Sequence, residues 1–234
     1  MRLLTSLRYR RDNLRVRLER WRARATVRRF QILYYADRES TWANTFFLGV
    51  QVAKNPCDLW AYQEIVFETR PDLIIEAGTA RGGSALYFAT LCDIVGRGRV
   101  VSVDIRDDPG RPEHERITYV RGSSVEPGVV SRVKEHVRPG ERVMVVLDSD
   151  HTEAHVLREL ETYGPLVTPG CYMVVEDTCL NGNPVLLRFG PGPAEAVRRF
   201  LQADDSFEVD RSREKFKMTF NPGGYLRRVE PGDV

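Results

Sequence analysis

What the 234-residue chain lacks narrows its chemistry before any motif is considered. No run of about 18 consecutive apolar residues is present, so no membrane-spanning helix is expected. The basic start is not followed by the short apolar stretch of a secretory signal, and a cytoplasmic location is expected. The four cysteines, Cys57, Cys92, Cys171 and Cys179, form no CxxC pair. Cys92 and Cys171 lie in apolar stretches, and the set reads as buried reduced thiols. Only four histidines occur, with no evident two-histidine, one-carboxylate set, which argues against an iron oxygenase. A GxGxxG loop is also missing, which argues against a nicotinamide-dependent oxidoreductase. The net charge of +2 gives the whole molecule no general attraction for nucleic acid. At 42% hydrophobic residues the chain supports one α/β core but not two.

Positive charge is concentrated at the start. Arg2, Arg8, Arg10, Arg11, Arg15, Arg17, Arg20, Arg22, Arg24, Arg28 and Arg29 are opposed only by Asp12 and Glu19. Leu3, Leu7, Leu14, Leu18 and Trp21 recur at helical spacing. Residues 1–40 are therefore expected to be a basic helical extension of a domain spanning 41–234. Its apolar stripe suits packing on that domain or on another subunit, and a homo-oligomer is expected. Contact with anionic lipid is a second reading. Nucleic-acid contact is disfavoured, because no aromatic interleaving accompanies the arginines.

From about residue 59 short apolar runs alternate with helical patterns. Strands are expected at 73–76, 100–104, 117–120, 143–148 and 172–176. Helices are expected at 59–67, 84–95, 129–136, 152–163 and 194–202. Residues 207–209 and 216–220 read as a terminal strand pair, the second ending at Asn221-Pro222-Gly223-Gly224. Such alternation implies a mostly parallel sheet with helices on both faces. Acids end several strands: Glu76, Asp104, Asp148 and the pair Glu176-Asp177. Ligands of such sheets bind at the carboxyl ends of the strands.

The segment from Glu76 through Ala77, Gly78, Thr79, Gly82 and Gly83 to Ser84 joins a strand to a helix, with glycines that let the backbone approach a ligand. Asp104, at the end of the next strand, suits the two hydroxyls of a ribose. Glu76, ahead of the loop, suits a cationic amino group better than a pyrophosphate. A ligand with an amino-acid end and an adenosine end satisfies both acids, and S-adenosylmethionine is such a ligand. Ser123 and Ser124 either reach the adenine edge or stabilise their own loop.

Asp148-Ser149-Asp150-His151 and Glu176-Asp177 end strands expected to be neighbours, so their carboxylates can converge on one hard cation such as Mg2+. Helix capping is the competing explanation for any one of these acids, and Asp148 and Asp150 compete for the first metal position. His151 is the candidate general base, with Asp150 as its rival. His155, one turn on, is expected to face the helix surface. Asn181-Gly182-Asn183-Pro184 forms a turn-rich loop placed to touch substrate.

Together, Asp58-Leu59-Trp60-Ala61-Tyr62-Gln63-Glu64-Ile65, Arg70-Pro71-Asp72-Leu73-Ile74-Ile75-Glu76-Ala77-Gly78-Thr79, Gly82-Gly83-Ser84, Leu147-Asp148-Ser149-Asp150-His151 and Val175-Glu176-Asp177-Thr178 resemble the cephalosporin hydroxylase / rhamnosyl O-methyltransferase family, over roughly residues 40–225. The resemblance implies a Rossmann-like class I methyltransferase fold with a seven-stranded sheet, and S-adenosylmethionine and Mg2+ as cofactors. It also implies metal ligation by Asp148, Glu176 and Asp177, with His151 as the base. The acceptor it implies is a hydroxyl on a sugar of a secondary metabolite or glycolipid. Phenolic, catechol or β-lactam-type acceptors, and a non-catalytic cofactor-binding partner subunit, are the alternatives.

Overall fold

The computed structural model describes Glu19 and residues 21–229. Most of the expected arginine-rich helix, including Leu3, Leu7, Leu14 and Leu18, lies outside the described residues. What is described of it is helix α1, residues 21–36, with Trp21 exposed. A hairpin of β1 (Phe46–Phe47) and β2 (Val50–Gln51) follows. The chain then runs through α2 (Pro56–Thr69), β3 (Leu73–Ala77), α3 (Gly83–Val95), β4 (Arg99–Asp104) and β5 (Ile117–Arg121). It continues through α4 (Pro127–Glu135), β6 (Val143–Leu147), α5 (Glu153–Tyr163), β7 (Tyr172–Val175), α6 (Pro193–Ala203), β8 (Phe207–Val209) and β9 (Tyr225–Arg228).

Local chemistry sets the helix ends. Asn55 caps α2 by accepting from the Cys57 N–H, and Pro56 opens the helix where its missing N–H costs nothing. Gly82 and Gly96, both left-handed, bracket α3.

The seven-stranded sheet has the order β5-β4-β3-β6-β7-β9-β8, and β9 alone runs antiparallel to its neighbours. The two-residue alternation divides the sheet cleanly. Leu73, Ile75, Val101, Val103, Val143, Val145, Leu147, Met173 and Val175 join the core cluster that includes side chains of α4, α5 and α6. Ile74, Val100, Met144, Val146 and Val174 join the opposite cluster with α2 and α3. Strands buried on both faces explain their nearly continuous apolar text. The direction of strand addition reverses at β3, which pairs with β4 on one side and β6 on the other. The crevice at the carboxyl ends of these strands is where such a fold binds its ligands. No helix among the described residues is long and apolar enough to cross a membrane.

One expected element is corrected. Residues 216–220 do not form a strand; the last strand, β9, begins after Asn221-Pro222-Gly223-Gly224. Phe216, Met218 and Phe220 alternate with polar residues, as in a half-buried strand. Yet Phe220 instead enters an aromatic cluster with Tyr34, Tyr35 and Trp42. The sheet position goes to Tyr225 and Leu226, which are fully buried.

Asp58 on α2 ties this C-terminal region down. Its Oδ2 accepts from the Phe220 N–H and its Oδ1 from the Tyr225 hydroxyl, both at 2.8 Å. Burial pushes its pKa up to about 6 despite those hydrogen bonds. The folded value lies above that of the unfolded chain, so ionisation of this group opposes folding. The cost is absent below about pH 4 and complete above about pH 6, and amounts to roughly 3 kcal/mol. Asp58→Asn removes the titration. Urea denaturation is expected to show the stability difference, variant minus wild type, moving by about 3 kcal/mol in the variant's favour between about pH 4 and pH 7. A difference independent of pH would contradict this account.

Candidate functional site

Asp148 leaves the end of β6 and Glu176-Asp177 leaves the end of β7. The ladder pairs Leu147 with Val175, and the Glu176 N–H donates to the Leu147 carbonyl at 2.9 Å, so the acids emerge side by side. Asp177 sits at positive φ (55°), a strained conformation for a non-glycine residue of the kind concentrated at functional sites. Nε2 of His151 lies 3.2 Å from Asp148 Oδ1 and 3.4 Å from Asp177 Oδ2. Ligand atoms of Asp148, His151 and Asp177 all lie within 4.8 Å of one another. The carboxylates offer oxygen donors that fit a divalent cation with open positions, and the imidazole of His151 stands beside them.

Glu176 is placed differently. Its Oε1 accepts from Tyr62 Oη at 2.7 Å and from Lys54 Nζ at 2.5 Å. The same ammonium reaches Asp148 Oδ2 at 2.5 Å. Asp148 is thus shared: one oxygen faces Lys54 and the other faces His151. Burial raises the Glu176 pKa above the ordinary carboxylate range, with the like charge of Asp148 adding to it. Burial likewise raises Asp177, although His151 opposes the shift. Burial works against charge on Lys54 and His151, yet their carboxylate neighbours outweigh it and hold both pKa values above ordinary.

Beside this cluster lies a cavity of about 530 Å³ at the turn of the sheet. Gly78, Thr79, Ala80 and Ser84 form one wall, Asp104 and Ser123 another, and Asp148, Ser149 and Asp150 a third. The glycine loop is held by Asp104, whose Oδ2 accepts from the N–H groups of Thr79 (3.1 Å) and Ala80 (2.8 Å). Its Oδ1 accepts from the Arg106 N–H at 2.8 Å. Ala77 ends β3 and is buried just inside this wall. Gly82, at positive φ, leaves no room for a Cβ, which would meet Pro112 Cδ at 2.9 Å and Tyr119 Oη at 3.0 Å. Volume, glycine loop and acid at the strand end fit an adenosine-bearing cofactor.

Not every expected residue reaches that cavity. Glu76 is fully buried on the α2/α3 face; its Oε2 accepts from Ser102 Oγ at 2.6 Å, while Oε1 has no hydrogen-bond partner. That orphaned oxygen, beneath the glycine loop, is the feature of Glu76 that suits a cationic group. Asp150 is exposed and accepts from the Thr152 N–H at 2.8 Å, so it closes the turn into α5, and Asp148 is the acid beside His151 and Asp177. His155 is corrected. It does not face outward but turns into the cavity wall, within 3.1 Å of Ser124 Oγ and 3.2 Å of Ser149 Oγ. Buried Glu159, one turn further on, accepts from both serines and raises the His155 pKa. Helical position alone pointed His155 to solvent; the β5 and β6 loops folded over that side of α5. The Asn181-Gly182 turn closes a small cluster of Cys179, Leu180 and Val185 behind Asp177.

Lys54 and Tyr62 were not read from the sequence. Tyr62 is a buried helix position that a core explains as well, and an isolated lysine in a loop carries no local signal. Tyr34 and Tyr35, from ahead of the expected domain boundary, also pack beside the Asp177 loop, Tyr35 stacking on Trp42 at 5.2 Å.

The family model described as Rhamnosyl O-methyltransferase/CmcI matches residues 39–229. The rhamnosyl O-methyltransferase of Mycobacterium bovis (strain BCG / Pasteur 1173P2) is 37% identical over 212 residues, 87% of this chain and 85% of that protein. That of Mycobacterium leprae (strain TN) is 40% identical over 203 residues, covering 83% and 87% respectively. A solved structure described as cmcI-D160 Mg-SAM aligns with a TM-score of 0.61 at 23% identity, over 80% of this chain and 78% of that one, a likeness of fold. The chain belongs to the rhamnosyl O-methyltransferase/CmcI family and has the mostly parallel, Rossmann-like fold of class I methyltransferases.

Proposed function

We propose that the protein moves the methyl group of S-adenosylmethionine to a hydroxyl of a small molecule, a sugar moiety of a secondary metabolite or glycolipid, with Mg2+ as its second cofactor. The observation that carries this reading is the convergence of Asp148, His151 and Asp177 directly beside the glycine-loop cavity. The curated relatives are named for a rhamnosyl acceptor, and a solved structure of like fold is described with Mg and SAM, which supports it.

When bound, S-adenosylmethionine supplies an electrophilic methyl group and Mg2+ supplies Lewis acidity at the acceptor oxygen. The protein's share is placement. Gly78, Thr79 and Ser84 shape the wall against the cofactor, Asp104 offers acceptor oxygens to ribose hydroxyls, and Ser123 sits at the far wall. Asp148, Glu176 and Asp177 would hold the metal, and Tyr62 and Lys54 fix the position of Glu176. Nε2 of His151 would take the proton of the acceptor hydroxyl, freeing its oxygen to accept the methyl group. Orientation and stabilisation of the developing alkoxide supply most of the acceleration.

Isothermal titration with S-adenosylmethionine, then with Mg2+, with and without EDTA, tests the assignment. Both are expected to bind, and Asp148→Asn is expected to weaken Mg2+ by at least ~10-fold, by loss of one anionic ligand. Cofactor binding without metal binding would remove Mg2+ from the account. Absence of cofactor binding would overturn the central assignment.

A further inference from the structure

The segment that carries Lys54 is built to aim it inward. Ala53 takes a left-handed conformation (φ 54°), and the Thr45 hydroxyl bridges the Lys54 N–H and carbonyl at 3.3 and 3.2 Å. The next residue, Asn55, caps α2. The strand before it lies so close to α3 that a Cβ on Gly83 would stand 2.2 Å from the Gln51 carbonyl oxygen. From this fixed base the side chain runs into the interior, and only 3% of it is exposed. Its ammonium ends 2.5 Å from both Asp148 Oδ2 and Glu176 Oε1, between acids from two different strands.

We propose that Lys54 is a built-in counter-cation that competes with the divalent metal ion for Asp148 and Glu176, and so sets how tightly that ion is held. The inference rests on the metal reading above and adds a determinant to it. Asp148, Glu176, Asp177 and the buried Glu76 gather four acids in one place, faced by Lys54 and His151. Uncompensated, such acids repel one another in a poorly solvated crevice. Lys54 relieves this in the metal-free protein. An arriving divalent ion meets a positive charge already seated on two of the carboxylates it needs, and its net gain falls accordingly. The frame does not depend on Lys54 alone, since Tyr62 donates to Glu176 and His151 contacts Asp148. Removing the charge therefore leaves the acids placed, with His151 as their remaining cationic neighbour. Lys54 acts through those acids and is a positioning residue.

The test titrates Mg2+ alone, and Mn2+ alone, into wild-type protein and Lys54→Met in the absence of any cofactor, with thermal midpoints recorded in EDTA and in saturating Mg2+. The variant is expected to bind Mg2+ at least ~10-fold more tightly, as removal of a neighbouring like charge requires. It is also expected to melt below wild type in EDTA and to gain more from Mg2+ than wild type does. Lys54→Gln removes the charge but keeps a donor to one carboxylate, and it carries the comparison if the methionine variant does not fold. A wild type that binds Mg2+ with neutral variants that bind no more tightly overturns this inference and leaves the metal reading standing. A wild type that binds no Mg2+ removes both.

Discussion

Replacing His151 by alanine is expected to lower kcat by ~10²- to 10⁴-fold, the range that a positioned general base contributes. Affinity for S-adenosylmethionine is expected to stay within about twofold, because a base lost from the acceptor side removes little ground-state binding of the cofactor. The geometry supports the separation. Nε2 points at Asp148 and Asp177, and of these Asp148 also lines the cavity, whose other walls are the glycine loop, Asp104, Ser123 and the Ser149-Asp150 turn. Methyl transfer to a glycoside acceptor gives kcat, and calorimetry gives the cofactor affinity. Equal losses in both would sink the assignment of His151 as base and make it a residue that shapes the cavity. The rival, Asp150, is bound to the Thr152 N–H, so Asp150→Asn should leave kcat nearly unchanged.

Gly78→Ala is expected to produce the largest loss of stability of any conservative change near the site. Gly78 has φ of +101°, which L residues rarely adopt. A Cβ there would stand 1.8 Å from the Asp148 carbonyl oxygen and 2.4 Å from its carbonyl carbon, both backbone atoms. No rotamer change relieves such a contact. The end of β3 must part from the end of β6, where the Asp148 N–H donates to the Ala77 carbonyl at 2.7 Å. Strain at positive φ and overpacking together cost roughly 3–5 kcal/mol. Because Asp148 moves with the strand, binding of both cofactors should fall as well. Gly140→Ala is the control: it shares the positive φ (+80°) but has nothing within 4 Å of the added Cβ, so only backbone strain applies. Denaturant unfolding that finds the two variants equally stable would show that the close crossing of β3 and β6 does not constrain the fold.

These two sites differ in how openly the chain announces them. Gly78 stands in a strand-loop-helix pattern, and its role follows from the turn required there. His151 stands three residues after a strand-end acid, and its role follows from what that acid does. His155 has an equally visible position, yet periodicity sent it to the wrong side, because the groups around it, Ser124 and Glu159, come from a different loop and the next helical turn. Residues 216–220 misled for a similar reason. Their two-residue alternation is a strand's, but an aromatic cluster assembled from Tyr34, Tyr35 and Trp42 offered Phe220 a better burial than the sheet edge.

The order of strands and helices, the glycine loop, and the acids Asp104, Asp148, Glu176 and Asp177 at strand ends were determined by the sequence alone. Each depends on side-chain period or on neighbours a few residues away, and these are local properties of the chain. The tertiary structure decided which carboxylate oxygens face one another, and that Asp148 rather than Asp150 joins His151. It also decided that a lysine 94 residues from Asp148 and 122 residues from Glu176 lies between them. Such encounters are set by strand register and by the close approach of the 51–55 segment to α3, and no local pattern encodes them.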